Sequence, residues 1–174
     1  MKKYKVLFAD LDGTLIETLS GNTFPQGIWD MRFKLKVLDQ IRKLQPKYLF
    51  IVTNQGGIER GLVDRNMFDI KSDYICYAIR EFLLSGRDKE TPLVVACIYC
   101  ATNTPNDGDR KPNTGMLYKI QHRFCLLSDN IQKEDCLMIG DASGKEGQFS
   151  DTDKRTAENY GIDYLDVEDF LYKK

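Results

Sequence analysis

Asp10-Leu11-Asp12-Gly13-Thr14 follows directly on the largely apolar run of residues 4–9. An apolar run stopped by an acid and a glycine reads as a buried strand that ends at Asp10. Two carboxylates two positions apart repel unless a cation neutralises them or one keeps its proton. With a further aspartate downstream, such an all-oxygen set favours Mg²⁺, a hard ion that keeps several waters and takes a phosphate oxygen into its shell. Gly13 lets the backbone turn sharply, which exposes N–H groups suited to phosphate oxygens. The bland alternative is a structural Asp-Gly turn, against which stands the strand placed just ahead of the motif.

Outward from this motif, short apolar runs alternate with amphipathic stretches, the pattern of an α/β fold with a central parallel sheet. Strands are expected at residues 4–9, 48–52, 93–99, 136–139 and 162–165. Helices are expected at 33–44, 65–84, 114–126, 153–160 and 167–171. The first helix carries Phe33, Val37, Leu38, Ile41 and Leu44 at helical spacing, and the second is expected to bury Phe68, Ile70, Ile75, Ile79, Phe82 and Leu83. Asp10, Thr53, the loop before Lys111, and Asp141 all follow strand ends. In open α/β sheets that edge binds ligands, so these distant polar groups are expected to converge.

The composition sets the frame. The 174 residues suit one domain, 42% hydrophobic and 29% charged, and the net charge of −1 announces no nucleic-acid or membrane partner. A local basic groove remains compatible with that balance. Five cysteines (Cys76, Cys97, Cys100, Cys125 and Cys136) are an odd number set mostly in apolar runs, which suits reduced thiols in a cytoplasmic protein. The apolar stretch behind the basic residues 1–5 ends at Asp10, too short for a secretory leader, and no run approaches a membrane span.

Four segments in order resemble the haloacid dehalogenase superfamily of phosphotransferases: residues 10–15, Thr53 within Ile51-Val52-Thr53-Asn54-Gln55, Lys111 within Arg110-Lys111-Pro112, and Gly140-Asp141. The resemblance spans residues 5 to about 165 and implies a three-layer Rossmann-like fold. It implies that Asp10 attacks phosphorus to form an aspartyl-phosphate, and that Asp12 protonates the leaving group and then activates water. It also implies Mg²⁺ held by Asp10, the Asp12 carbonyl, Asp141 and a second acid, with Thr53 and Lys111 on the phosphoryl group. Leu11, Gly13, Thr14, Asn54 and Arg110 stand as substrate-binding candidates. The second acid is Asp151 or Asp153; counting back from Gly161 favours Asp153, leaving Asp151 as a helix-dipole acid. The spacing between motifs leaves no room for a large cap domain, so the site is expected to be open.

The flanking wording is similar to the 3′-phosphatase domain of the polynucleotide kinase/phosphatase family. The discriminating stretches are Ser20-Gly21-Asn22-Thr23-Phe24-Pro25 and Gly140-Asp141-Ala142-Ser143-Gly144 with a long insert before Phe149-Ser150. That resemblance implies action on 3′-phosphorylated DNA ends, a DNA-repair chemistry. Arg60, Arg65, Arg110, Lys111, Lys145 and Lys154 are candidates to neutralise neighbouring phosphates, and Phe24 and Trp29 to stack a terminal base. Histidinol-phosphate and heptose-bisphosphate phosphatases, the small-molecule alternative, typically carry a zinc loop before Arg-Lys-Pro. Here only Cys100 matches it; Thr102, Asp107 and Asp109 replace the other ligands, and no structural zinc is expected. Cys97 and Cys100 have zinc-like spacing, but within a strand they would point apart. Residues 140–145 fall one short of a P-loop and Glu146 replaces its Ser/Thr, so no 5′-kinase activity is expected. A phosphate-binding module without turnover is a third reading, against which stand the acids and lysine of all four motifs.

Overall fold

The computed structural model describes residues 2–87, 92–124, 126 and 130–172, so Cys125 lies outside the described residues. Five parallel strands form the central sheet: β1 (Val6–Ala9), β4 (Tyr48–Asn54), β5 (Val94–Cys100), β6 (Cys136–Gly140) and β7 (Asp163–Asp166). Their order is β5-β4-β1-β6-β7, which puts β1 at the centre. Two short strands, β2 (Ile16–Glu17) and β3 (Arg32–Phe33), pair antiparallel outside this sheet.

The chain builds outward from β1 through β4 to β5 and then returns to the other side with β6 and β7. Right-handed crossovers therefore place the helices of the first two connections and those of the next two on opposite faces, and the terminal helix joins the first pair. Helices α1 (Leu35–Leu44), α2 (Arg65–Leu84) and α5 (Val167–Tyr172) cover one face, where Leu7, Ala9, Leu49, Ile51 and Leu137 meet Ile41, Ile75 and Phe170. Helices α3 (Gly115–Arg123) and α4 (Thr152–Tyr160) cover the other, where Phe8, Phe50 and Met138 meet Met116, Ile120 and Ala157. Alternate residues of each strand serve opposite faces, which is why the runs read as apolar throughout. The same alternation parts Cys97 from Cys100, one in each core.

Two expectations need correction. The helix expected from residue 33 starts at Leu35, because Arg32 and Phe33 pair with Glu17 and Ile16. Ile70, expected in the core, is 56% exposed. The buried stripe of α2 runs through Phe68, Ser72, Ile75, Ile79 and Leu83, a 3.6-residue period that leaves Ile70 on the far side and draws Lys71 in. Among the described residues, no helix is long and apolar enough to cross a membrane.

Candidate active site

The register explains the convergence. Ala9 pairs with Ile51 on one side and Ile139 on the other, so the residues just past β1 are flanked by the ends of β4 and β6. Asp10 leaves β1 with its N–H donated to Ile139 O at 3.0 Å. Thr53, at the end of β4, is buried, and Asp141 follows directly on β6. This is the switch point of the sheet, where chain connections diverge and a cleft opens.

Lys111, from the loop between β5 and α3, is the hub. Its Nζ donates to Asp10 Oδ1 at 2.5 Å and to Asp153 Oδ1 at 2.7 Å, all three side chains being nearly or wholly buried. Asp153 sits in the first turn of α4, where its Oδ2 accepts from the Ala142 N–H at 3.2 Å. Carboxylate oxygens of Asp10, Asp141 and Asp153 lie within 4.8 Å of one another. Asp151 is the residue preceding α4, its half-exposed side chain facing Arg155 at 3.9 Å. Of the two acids left open by the sequence, Asp153 is the one in the cluster.

Three carboxylates against one ammonium leave an excess of buried negative charge. Burial pushes the Asp10 carboxyl well above its usual range; Lys111 opposes this and Asp153 adds to it. Burial and then Asp153 push Asp141 up in the same way. Burial alone would lower Lys111, but Asp10 and Asp153 outweigh it and hold the ammonium above its ordinary pKa. Hard oxygen donors this close, short of positive charge, fit a divalent cation such as Mg²⁺, which favours their ionised forms.

Around this cluster the other sequence candidates take supporting places. Gly13 has φ +82°, and a Cβ there would lie 2.0 Å from Asp141 Oδ2, so glycine is required for the close approach. Its N–H, expected at a phosphate, donates to Ile16 O instead, and its carbonyl accepts from Lys34. The Thr14 hydroxyl reaches Asp141 Oδ1 at 3.4 Å, and the Leu11 side chain is buried in the core. Asn54 clamps the Lys111 backbone, accepting its N–H at 2.9 Å and donating to its carbonyl at 3.0 Å. Arg110 lines the cleft while donating to Thr102 O at 2.6 Å. Gln55 was not singled out from the sequence, yet its Nε2 donates to both Asp12 Oδ2 (2.7 Å) and Thr53 Oγ1 (3.0 Å). Nothing but its place beside Thr53 signalled that role.

The cleft above the cluster has a volume of about 640 Å³, and Phe24, Arg60, Lys71 and Phe149 are among its lining residues. The Arg60 guanidinium lies 5.8 Å from the Phe24 ring centroid. Phe24 is carried by the segment between β2 and β3, whose fold is fixed by buried Asp30. Its carboxylate accepts from the Ser20 N–H, the Ser20 hydroxyl and the Gln26 N–H. Trp29 is 73% exposed, packs its ring on Gly27 and is not in the lining. Arg65 interacts with Tyr99 and Lys145 with Asp166 and Asp169.

Phe149 rides on the insert after Asp141, and Asp166 anchors that insert. Asp166 Oδ2 accepts from Ser143 Oγ at 2.6 Å and Gln148 Nε2 at 2.7 Å, and Lys145 lies 3.0 Å from Oδ1. Burial pushes this carboxyl up, but Ser143, Gln148 and Lys145 outweigh it and bring the pKa to about 2. A lowered carboxyl pKa stabilises the fold above its unfolded value of 3.8, and this is lost as pH falls towards 2. Asp166→Asn is expected to cost about 2 kcal/mol in urea unfolding at pH 7, with the gap to the parent closing below about pH 3. A gap independent of pH assigns the loss to packing instead.

The loop of residues 102–113 is held by hydrogen bonds. Thr102 Oγ1 donates to Asp107 Oδ2 at 2.8 Å, Asp109 N–H to Asp107 Oδ1 at 2.9 Å, and Asn113 Nδ2 to Pro105 O and Asp107 O at 3.1 and 2.8 Å.

Comparison with known proteins adds four findings. The family model described as polynucleotide kinase 3 phosphatase matches residues 5–171. A bifunctional polynucleotide phosphatase/kinase of Schizosaccharomyces pombe is 34% identical over 98% of this chain, which spans only 38% of that enzyme. A probable D-glycero-D-manno-heptose-1,7-bisphosphate 7-phosphatase of Thermoplasma volcanium is 26% identical over 84% of this chain and 91% of its own length. Among solved structures, the D,D-heptose 1,7-bisphosphate phosphatase of B. bronchiseptica, complexed with magnesium and phosphate, has the same fold. Its TM-score is 0.59 at 20% identity, covering 98% of this chain and 99% of that one.

Proposed function

We propose, from the premise that this chain belongs to the polynucleotide kinase 3 phosphatase family, that it removes the phosphate from a nucleic-acid 3′ end with Mg²⁺ as cofactor. The chain is a phosphoric monoester hydrolase of the haloacid dehalogenase superfamily. Its substrate, the role of each residue, its action as one cytoplasmic phosphatase domain over residues 1–174 and its place in DNA repair are our reading.

In that reading an Asp10 carboxylate oxygen attacks phosphorus in line, and the bond to the 3′ oxygen breaks as the aspartyl-phosphate forms. Asp12, oriented by Gln55, gives its proton to the leaving oxygen. It then takes a proton from the water that attacks the aspartyl-phosphate, so that inorganic phosphate leaves and Asp10 is restored. The Thr53 oxygen accepts from Gln55, which frees its own proton for a phosphoryl oxygen. Lys111, fixed by Asp10, Asp153 and the Asn54 clamp, supplies positive charge beside the nucleophile. Asp10, Asp141 and Asp153, with the Asp12 main-chain carbonyl, would hold the cation. When bound, it offsets the repulsion between carboxylate and phosphate.

The observation that carries the substrate reading is the cleft wall, where Phe149, 88% exposed, shares an open lining with Phe24 and Arg60. Aromatic faces beside cations suit a nucleobase joined to phosphates. A panel of 3′-phosphorylated oligonucleotide, 3′-mononucleotide, histidinol phosphate and heptose bisphosphate tests it. The oligonucleotide is expected to give the highest kcat/KM; a higher value on the sugar or amino-alcohol ester would replace this reading with the small-molecule one. The Thermoplasma relative, matched along 91% of its length, is the observation that favours that second reading.

Chelation by EDTA is expected to abolish turnover, and Mg²⁺ at 100 times its Kd to stabilise the fold by about 2.7 kcal/mol. Full activity in EDTA, with no shift of the unfolding midpoint on adding Mg²⁺, would exclude the cation.

A further inference from the structure

Lys71 differs from the other cations around the cleft. It is on the buried stripe of α2, only 5% exposed, and lines the cleft on the same helix as Phe68. Its neighbours find partners within the protein: Lys111 has two carboxylates, Arg110 the Thr102 carbonyl and Lys34 the Gly13 carbonyl. Among the described residues, no hydrogen-bond or ion-pair partner lies against the Lys71 ammonium. Asp12 and Asp30 act on it through space only, and Asp30 already accepts three hydrogen bonds. Burial pulls the Lys71 pKa below its ordinary value, while its place in the lining leaves the ammonium open to the cleft.

A lysine stem buried to this extent brings its ammonium to the cleft wall, and a position that needed only filling would be met by Met or Leu. An anion that pairs with it therefore arrives through the cleft. Its place follows from what faces Lys71. Of the two carboxylates that act on Lys71 through space, Asp12 acts more strongly than Asp30; Asp12 serves the leaving oxygen, whereas Lys111 serves the phosphoryl side. A cation that shares the cleft lining with Asp12 and feels its charge is placed to meet the leaving group.

We propose that Lys71 binds a second anionic group of the substrate, carried on the leaving-group side. Resting on the nucleic-acid reading above, that group is the internucleotide phosphodiester next to the 3′-terminal nucleoside.

The test compares two 3′-phosphorylated dinucleotides, one joined by a phosphodiester and one by an uncharged methylphosphonate. The parent enzyme is expected to prefer the phosphodiester about tenfold in kcat/KM, chiefly through KM, as suits one charge-assisted contact. Lys71→Met is expected to bring this preference below about twofold, and Lys71→Arg to retain most of it. The salt slope of log kcat/KM on the phosphodiester is expected to become shallower by about one in Lys71→Met. A preference unchanged by Lys71→Met overturns the assignment while leaving the nucleic-acid reading intact. A parent enzyme that ignores both dinucleotides and turns over heptose bisphosphate overturns both.

Discussion

Asp10→Asn is expected to lower kcat on any phosphomonoester by about 10⁴-fold or more while the chain stays folded. An amide at this position keeps the shape of the carboxylate but loses the nucleophilic oxygen, and no second acid of the cluster is free to replace it. Asp153 is tied to Lys111 and the Ala142 N–H, and Asp141 is met by the Thr14 hydroxyl. Stability is expected to move the other way. Without Mg²⁺, Asp10 adds a third buried negative charge to a cluster holding one ammonium, which is why burial and Asp153 raise its pKa. Removing that charge leaves Lys111 paired with Asp153 and is expected to raise the unfolding temperature in EDTA by a few degrees, on the order of 1 kcal/mol. The stabilisation by Mg²⁺ should shrink in the variant, since one of its oxygen donors has become a weaker amide. Activity within tenfold of the parent would place the nucleophile elsewhere, and an unfolding temperature far below the parent's would mean that Asp10 is structural.

The residues that cluster at the candidate site were legible in the sequence through their positions. Polar residues stopping apolar runs stand out, so Asp10, Thr53 and Asp141 were visible at the ends of β1, β4 and β6. Strand order then did the rest, with β1 between β4 and β6. The hairpin of β2 and β3 was not legible, because two-residue strands carry no periodicity and their pairing depends on a turn-rich segment closed by Asp30. The burial of Lys71 was equally hidden. A lysine on an amphipathic helix reads as solvated, and only the packing of α2 beside the cleft shows it turned inward. Counting back from Gly161 favoured Asp153 without excluding Asp151, because the two stand two residues apart at the start of the same helix. What distinguishes them is the turn after β6, whose Ala142 N–H draws in the Asp153 carboxylate and leaves Asp151 at the rim. The Asp166 anchor was missed since its partners, Ser143 and Gln148, lie in an insert with no pattern of its own.

Lys111→Met is expected to cost about 3–5 kcal/mol of folding free energy in EDTA, the largest stability effect of any substitution in the site. The methionine fills the space of the lysine stem but leaves Asp10 and Asp153 buried without their shared cation. Those carboxylates must then take up protons or admit water, and either change lowers the free energy of unfolding. Activity should fall with it, since the ammonium beside the nucleophile is lost as well. The two losses can be separated. In Lys111→Met/Asp153→Asn one buried charge is removed from each side of the pair, and at least half of the lost stability is expected to return, as in a double-mutant cycle with coupled partners. Turnover is not expected to return, because nothing in the double variant restores positive charge at Asp10. Recovery of stability without activity assigns Lys111 two duties, holding the acids together and serving the reaction. If the double variant is as unstable as the single one, Asp10 alone carries the penalty, and Asp153 keeps its place through the Ala142 N–H without help from the lysine.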